Sequence, residues 1–139
     1  MAFPFSILTQ AIQVFRKGRE RRFERTEEVR SIMCRFRAAY EDTRYSRNTG
    51  IPTEIRKDRS LVFIEQFNDE LQGMNANLLS PNLAREFVKL KNLVFQTWRK
   101  HQQGHLDMEL WQIQHMAIGR QLGLVMRTLG PAPSKIPLL

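Results

Sequence analysis

Residues 80–98, with the sequence SPNLAREFVKLKNLVFQTW, decide the fold class of this chain. Ser80 and Pro81 form a helix-start signal, because a hydroxyl can cap free backbone amides and proline is favoured at the first helical position. The apolar positions that follow recur every three or four residues: Leu83, Phe87, Leu90, Val94 and Trp98. This spacing places them on one face of an α-helix and does not match the alternation of a β-strand. We therefore predict an amphipathic helix that buries this face.

Another helix is predicted on the C-terminal side, after the polar residues 101–104. Asp107 can cap its first turn, and the pair Gly130 and Pro131 marks its end. Its apolar residues cover more than one helical stripe: Leu110, Trp111, Ile113, Ala117, Ile118, Leu122, Val125 and Leu129. We expect this helix either to lie at the centre of the fold or to offer a second apolar face to a partner.

Two helices are predicted on the N-terminal side, separated by a loop over residues 46–52. Gly50 and Pro52 favour turn geometry in that loop, and Thr53 can cap the helix that follows. The apolar positions of this helix again have helical spacing: Ile64, Phe67, Leu71 and Met74, widened by Leu61, Val62 and Phe63.

The first helix is expected to be long, covering about residues 7–45 with Ser6 as its N-cap. Its apolar stripe begins with Leu8, Ala11, Ile12 and Phe15 and resumes with Phe23, Val29, Ile32, Met33, Phe36 and Tyr40. Gly18 lies in the interruption, and a glycine inside a helix costs roughly 1 kcal/mol relative to alanine. The helix is therefore either continuous through Gly18 or divided there into two pieces.

Four amphipathic helices with short connections can bury one another's apolar faces. We therefore predict an all-α fold, a helical bundle of about four helices. The length of 139 residues fits a single domain. Within it we expect residues 1–45 to form a long basic N-terminal helix, residues 53–130 a three-helix portion, and residues 131–139 a proline-containing tail.

The whole chain has a formal charge of +8. The positive charge is concentrated in the first half of the chain. The segment of residues 16–25, RKGRERRFER, contains six cations and two carboxylates. Arginine presents a planar fork of donors that suits phosphate, so an anionic partner is expected. We predict that nucleic-acid phosphate is bound by Arg16, Lys17, Arg19, Arg21, Arg22 and Arg25, with Arg56, Lys57 and Arg59 as a second patch. The alternative is a solvated face, with Glu20, Glu24, Glu27 and Glu28 paired to arginines three or four residues away.

A second hypothesis concerns the apolar residues 3–15, which run directly into the cationic segment. An apolar helical face next to cations is typical of a helix that lies in the surface of an anionic membrane. The contact residues would be Phe3, Phe5, Leu8, Ile12 and Phe15. Because the stripe continues to Phe23 and Val29, we favour the interpretation that Leu8, Ile12 and Phe15 join the bundle core. A third hypothesis is a protein-interaction subunit that binds other chains or self-associates.

Enzymatic chemistry has little support in the sequence. No glycine-rich phosphate loop, nucleophile elbow or paired-carboxylate pattern occurs, and Cys34 has no placed base beside it. His101, His105 and His115 resemble a metal-ligand set, but Gly104 separates the first two, so we favour polar loop histidines. We expect a non-enzymatic binding module, without cofactor or metal, that serves as a small subunit or regulator of a larger assembly.

The expected location follows from the apolar segments and from the single cysteine. Cys34 cannot form an intrachain disulfide, which fits a reducing compartment. No run approaches the 18 apolar residues of a membrane-spanning helix. The apolar N-terminal run precedes the positive charge, the reverse of the order in a secretory signal peptide. We expect an intracellular, cytoplasmic protein. Any contact with a membrane is expected to be peripheral.

Overall fold

The computed structural model consists of four α-helices: α1 (Phe3–Tyr45), α2 (Thr53–Gln72), α3 (Pro81–Gln102) and α4 (Met108–Leu129). It describes the backbone of residues 3–45 and 50–131, and the side chains of residues 9–43 and 50–131. Of the described backbone, 85% is helical, and no strand occurs in it. The predicted all-α bundle of about four helices is confirmed.

The helix ends agree with the sequence signals in part. Asp107 caps α4 as predicted, since its Oδ1 accepts a hydrogen bond from the Leu110 amide at 2.8 Å. Ser80 occupies the N-cap position of α3, with Pro81 first in the helix, but the Ser80 side chain makes no capping bond. The Thr53 cap is wrong, because Thr53 already lies inside α2 and Pro52 precedes it. The Ser6 cap is also wrong: α1 begins at Phe3, with Pro4 in its first turn, where proline is tolerated.

Neighbouring helices run antiparallel. Arg35 of α1 forms a bidentate ion pair with Glu70 of α2, at 2.9 and 3.1 Å. Lys91 of α3 donates to the Met74 carbonyl just after α2, at 2.7 Å. Gln121 of α4 donates to the Glu86 side chain of α3, at 2.8 Å. Helices α1 and α3 lie on opposite corners of this up-down arrangement, each packed against α2 and α4.

One apolar core fills the space between the four helices. All four contribute fully or almost fully buried side chains to it, among them Val29, Met33, Phe36, Ile64, Phe67, Leu71, Phe87, Leu90, Val94, Ile118, Leu122 and Val125. Phe36 contacts Phe63 edge-on and Phe67 at a tilt, with ring centroids 5.6 and 4.9 Å apart. The stripes predicted for α2 and α3 are therefore the buried ones, although Val62 points outward.

Helix α4 packs against α1 and α3 and leaves a second apolar face uncovered within the described chain. Ile113, Met116 and Leu124 are exposed on that face. Trp111 is buried on the opposite side, where its Nε1 donates to the Ser60 hydroxyl at 2.7 Å. A second apolar face was one of the two alternatives expected from the sequence, and Met116 on this face also borders the groove described below.

Helix α1 is continuous through Gly18. Its 43 residues are about twice the 20 to 22 residues of each other helix, so its N-terminal half has no helix left to pack against. Residues 3–24, here named the arm, extend beyond α2 and α4. At the base of the arm, Arg22 and Phe23 line a surface pocket together with residues 77–81. The 16 arm residues with described side chains span about 24 Å at 1.5 Å per residue.

Candidate nucleic-acid interface and the α1–α4 groove

The described apolar side chains of the arm, within residues 9–24, are exposed. Ile12 is 44% exposed, Phe15 65% and Phe23 57%, and Val14 is more open still. The expectation that Ile12, Phe15 and Phe23 join the bundle core is therefore wrong. The stripe of α1 enters the core only from Val29 onward, where α2 and α4 lie alongside it. Phe3, Phe5 and Leu8 lie outside the residues with described side chains.

The cations of the arm are exposed as well. Arg16, Lys17, Arg19, Arg21 and Arg22 make no ion pair within residues 9–43 and 50–131. The guanidinium carbon of Arg19 lies 5.8 Å from the centroid of the Phe15 ring, a cation–π distance. Arg25, at the base of the arm, is half-buried and donates to Glu28 at 3.0 Å.

Part of the predicted charge pairing is present. Glu28 pairs with Arg25, and Glu27 pairs with Arg30 at 3.3 Å. Glu20 and Glu24 form no ion pair in the described part of the chain. The solvated-face interpretation is therefore correct at the base of the arm, whereas the arginines further out keep their donors available.

Helical geometry separates the remaining charges on the arm. At about 100° per residue, Arg19, Arg22, Arg25 and Arg21 fall within a sector of roughly 160°. Glu20 and Glu24 fall on the opposite side, next to Arg16 and Lys17. The arginine sector points the same way as the core-facing side of α1 further along, which includes Val29 and Phe36. One side of α1 is thus apolar where the bundle covers it and cationic where the bundle ends.

The structure does not bring Arg56, Lys57 and Arg59 together as a second patch. Arg56 is half-buried and its Nε donates to the Thr43 carbonyl at 3.3 Å. Lys57 donates to the Leu106 carbonyl at 2.7 Å, which ties α2 to the loop before α4. Arg59 alone of the three is exposed. Arg56 and Lys57 are successive positions that point in different directions, and their contacts with backbone carbonyls leave only Arg59 open to a partner.

A groove between α1 and α4 was not predicted. Its walls carry four arginines, Arg37, Arg56, Arg120 and Arg127, and one carboxylate, Glu41. They come from three helices and from positions up to 90 residues apart, so no local pattern announces them. The spacing of Gly119 and Gly123 was the available signal, since two glycines four residues apart leave a helix face open.

Gly119 is required by the packing of Tyr40. A Cβ atom at Gly119 would collide with the hydroxyl end of the Tyr40 ring. The Tyr40 ring in turn stacks on His115 at 4.5 Å, and His115 stacks on Trp111 at 5.0 Å. Tyr40 therefore lies across α4 and forms, with His115, one end of the groove.

His115 is buried, and neither ring nitrogen has a hydrogen-bond partner among the described residues. Burial lowers its pKa to about 4, and the positive charge of Arg56 acts in the same direction. The ring is therefore neutral at pH 7. The three histidines do not form a shared site. His101 and His105 are exposed, whereas His115 is a buried residue of α4. No group of three or more metal-ligating side chains occurs in the described residues.

Cys34 is exposed on α1, between the buried residues Met33 and Phe36. Over its described residues, no helix combines the length and the apolar character needed to cross a bilayer. No protein-family model matches this chain, and no match was found among curated proteins or among solved structures. The geometry of the arm and of the groove is therefore the basis for any functional assignment.

Proposed function

We propose that this protein is a non-enzymatic binding module that contacts nucleic-acid phosphate through the arm, as a small subunit or regulator of a larger assembly. The observation that carries the proposal is the group of five exposed cations on the arm without ion pairs in the described part of the chain. A helix that extends beyond α2 and α4 can approach the phosphates that border a nucleic-acid groove without a clash from those two helices.

The expected binding is electrostatic. Each phosphate neutralised by an arginine releases counterions, so affinity falls steeply with salt and depends little on sequence. Phosphate contacts fix the position of the arm, and direct readout of bases is minor. The carboxylates Glu20 and Glu24 lie on the opposite side of the helix from Arg22 and face solvent in this arrangement, although Glu24 is three residues from Arg21 and so borders the arginine sector.

The test is a salt titration of the full chain with a short DNA duplex and a short RNA. The variant carries Arg19→Gln, Arg21→Gln and Arg22→Gln. Its matched control carries Arg59→Gln, Arg85→Gln and Arg99→Gln, which removes the same charge from exposed positions on the bundle. For a duplex, the slope of log affinity against log salt should become shallower by about 0.9 for each phosphate that the arm variant no longer neutralises.

The control should keep most of the wild-type slope, because the arm is intact. An equal reduction of the slope in both triple variants would show that only net charge matters and would contradict a dedicated arm. A nucleic-acid affinity that does not change with salt concentration would also contradict the proposal.

The exposure of Ile12 and Phe15 favours a second candidate function, in which the arm lies in the surface of an anionic membrane. Apolar burial and attraction to anionic lipid would then act together. The variant Ile12→Ser with Phe15→Ser separates the two, with Val62→Ser with Ile113→Ser as the control at exposed bundle positions. Loss of vesicle binding in the arm variant alone would establish the membrane function. Unchanged nucleic-acid binding in that variant would support the first proposal.

A further inference from the structure

The α1–α4 groove has an excess of positive charge. Arg37, Arg120 and Arg127 make no hydrogen bond or ion pair within residues 9–43 and 50–131, and all three are exposed along its rims. Arg56 uses only its Nε, on the Thr43 carbonyl. Glu41 is the one carboxylate among the described residues that line the groove. An arrangement of like charges is costly unless an anion or solvent screens it.

The floor of the groove is apolar and open. Gly123 leaves a gap on the α4 side, whereas the Tyr40 ring fills the space at Gly119. Met116, Leu122 and Met126 border the gap. A Cβ atom added at Gly123 would meet no heavy atom within 4 Å. The groove encloses a volume of about 850 Å³, which lies in the range of small-molecule sites.

His115 lies in the wall of the groove, where its ring can report on a bound ligand. The residue is only 7% exposed and contributes to the groove wall, yet neither ring nitrogen has a partner in the described structure. Buried polar groups in folded proteins are almost always hydrogen-bonded to protein, water or a ligand. Both ring nitrogens lie behind the groove surface, so a ligand in the groove acts on His115 through its nearby charge and not through a hydrogen bond to the ring.

We propose that the α1–α4 groove binds a small phosphate ester with an apolar portion. The guanidinium groups of Arg37 and Arg120, from opposite walls, hold the phosphate, and the apolar portion lies on the floor at Gly123. Guanidinium forks match phosphate geometry, and a dianion compensates four arginines better than a carboxylate does. The arm of a second copy is a poor occupant, because its own cations would face those of the groove.

The ligand class differs from that of the arm, so the two proposals stand or fall separately. The experiment uses the full chain with isotope-labelled histidine, titrated with inorganic phosphate, with hexyl phosphate, and with phosphatidylcholine vesicles that contain phosphatidic acid. Hexyl phosphate should bind more tightly than inorganic phosphate by about tenfold or more, because its methylene groups become buried. The His115 resonances should shift, and the pKa of His115 should rise, because a nearby anion favours the imidazolium.

Two variants test the location. Arg37→Gln with Arg120→Gln removes the phosphate-binding guanidinium groups, and Gly123→Leu fills the floor where no neighbouring atom stands in the way. Both should abolish the His115 response to hexyl phosphate, while thermal unfolding shows that the fold is kept. The control Arg59→Gln with Arg99→Gln, and the arm triple variant, should respond as wild type does.

Three outcomes distinguish the sources and the failures. A response to hexyl phosphate but not to vesicles assigns the site to a soluble ester. A response to vesicles as well, absent in the groove variants, assigns it to a lipid headgroup. Equal affinity for inorganic and hexyl phosphate, or no His115 response to either, would overturn the proposal, whatever the arm binds.

Discussion

Arg30 holds the C-terminal end of α4 through Gly130: its Nη1 donates to the Gly130 carbonyl at 2.7 Å. The Nη2 atom donates to the Leu129 carbonyl at 3.3 Å. The last carbonyls of a helix have no partner within the helix, and a cation near them is favourable. This contact joins α1 to α4 at the level where the bundle ends, and beyond it α1 continues as the arm.

Replacement of Arg30 should therefore destabilise the bundle. We expect Arg30→Ala to lower the free energy of unfolding by about 1.5–3 kcal/mol, the usual value for hydrogen bonds to a charged group. Urea unfolding measures the change. Arg22→Ala, an exposed arginine without ion pairs in the described chain, is the control and should stay within about 0.5 kcal/mol of wild type. Equal effects would mean that the Arg30 contact does not stabilise the fold.

The buried and the exposed parts of the α1 apolar stripe should contribute differently to the free energy of unfolding. Phe36 is fully buried, so Phe36→Ala should cost about 3–5 kcal/mol of unfolding free energy. Phe23 lies on the arm, and Phe23→Ala should change stability by less than about 0.5 kcal/mol. Chemical denaturation of the two variants at the same protein concentration checks this. A large decrease for Phe23→Ala would show that the arm is packed, in this chain or against another copy.

The two glycines of the groove should respond in opposite ways to the same substitution. Gly119→Ala places a methyl group against the Tyr40 ring, so we expect destabilisation of about 1–3 kcal/mol. Gly123→Ala meets no neighbour and replaces glycine in a helix, which should stabilise by up to about 1 kcal/mol. Thermal unfolding of both variants checks the order. If Gly119→Ala is as stable as Gly123→Ala, Tyr40 does not lie across α4.

His115 should make stability depend on pH. Its pKa is about 4 in the folded protein, below the value of 6.5 expected when unfolded, so protonation favours the unfolded state. The stabilisation is complete above pH 6.5 and is lost as pH falls toward 4, by about 3 kcal/mol in total. The pKa of Glu86 is also lowered, mainly by the Gln121 hydrogen bond, and its contribution is lost only below its ordinary value of 4.5.

The window between pH 4.5 and 6.5 therefore isolates the histidine. We expect His115→Phe to flatten the stability profile in this window, measured by urea unfolding at several pH values. His101→Phe, an exposed histidine on α3, is the control and should leave the profile unchanged. A profile as steep in His115→Phe as in wild type would contradict the assignment.

The arginines of the arm were grouped correctly from the sequence, whereas those of the groove were not. The sequence identified Arg19, Arg21 and Arg22 because they are close together in the chain, and helical geometry is local. It did not identify Arg37, Arg120 and Arg127 as a group. Their proximity depends on how α1 packs against α4, which no short-range pattern contains.

Local sequence patterns were sufficient to predict the number of helices, most of their ends and the buried stripes of α2 and α3. These features follow from spacing of three or four residues and from single residues such as Asp107 and Gly130, whose effects act within one turn. Which part of the α1 stripe is covered depends instead on the packing of the four helices. Periodicity shows which side of a helix is apolar, but burial requires another helix at the same level. Along the bundle axis, the shorter helices α2 and α4 do not reach the level of Phe23, so its side chain is exposed. The side chain of Phe36, at a level that both helices cover, lies in the core.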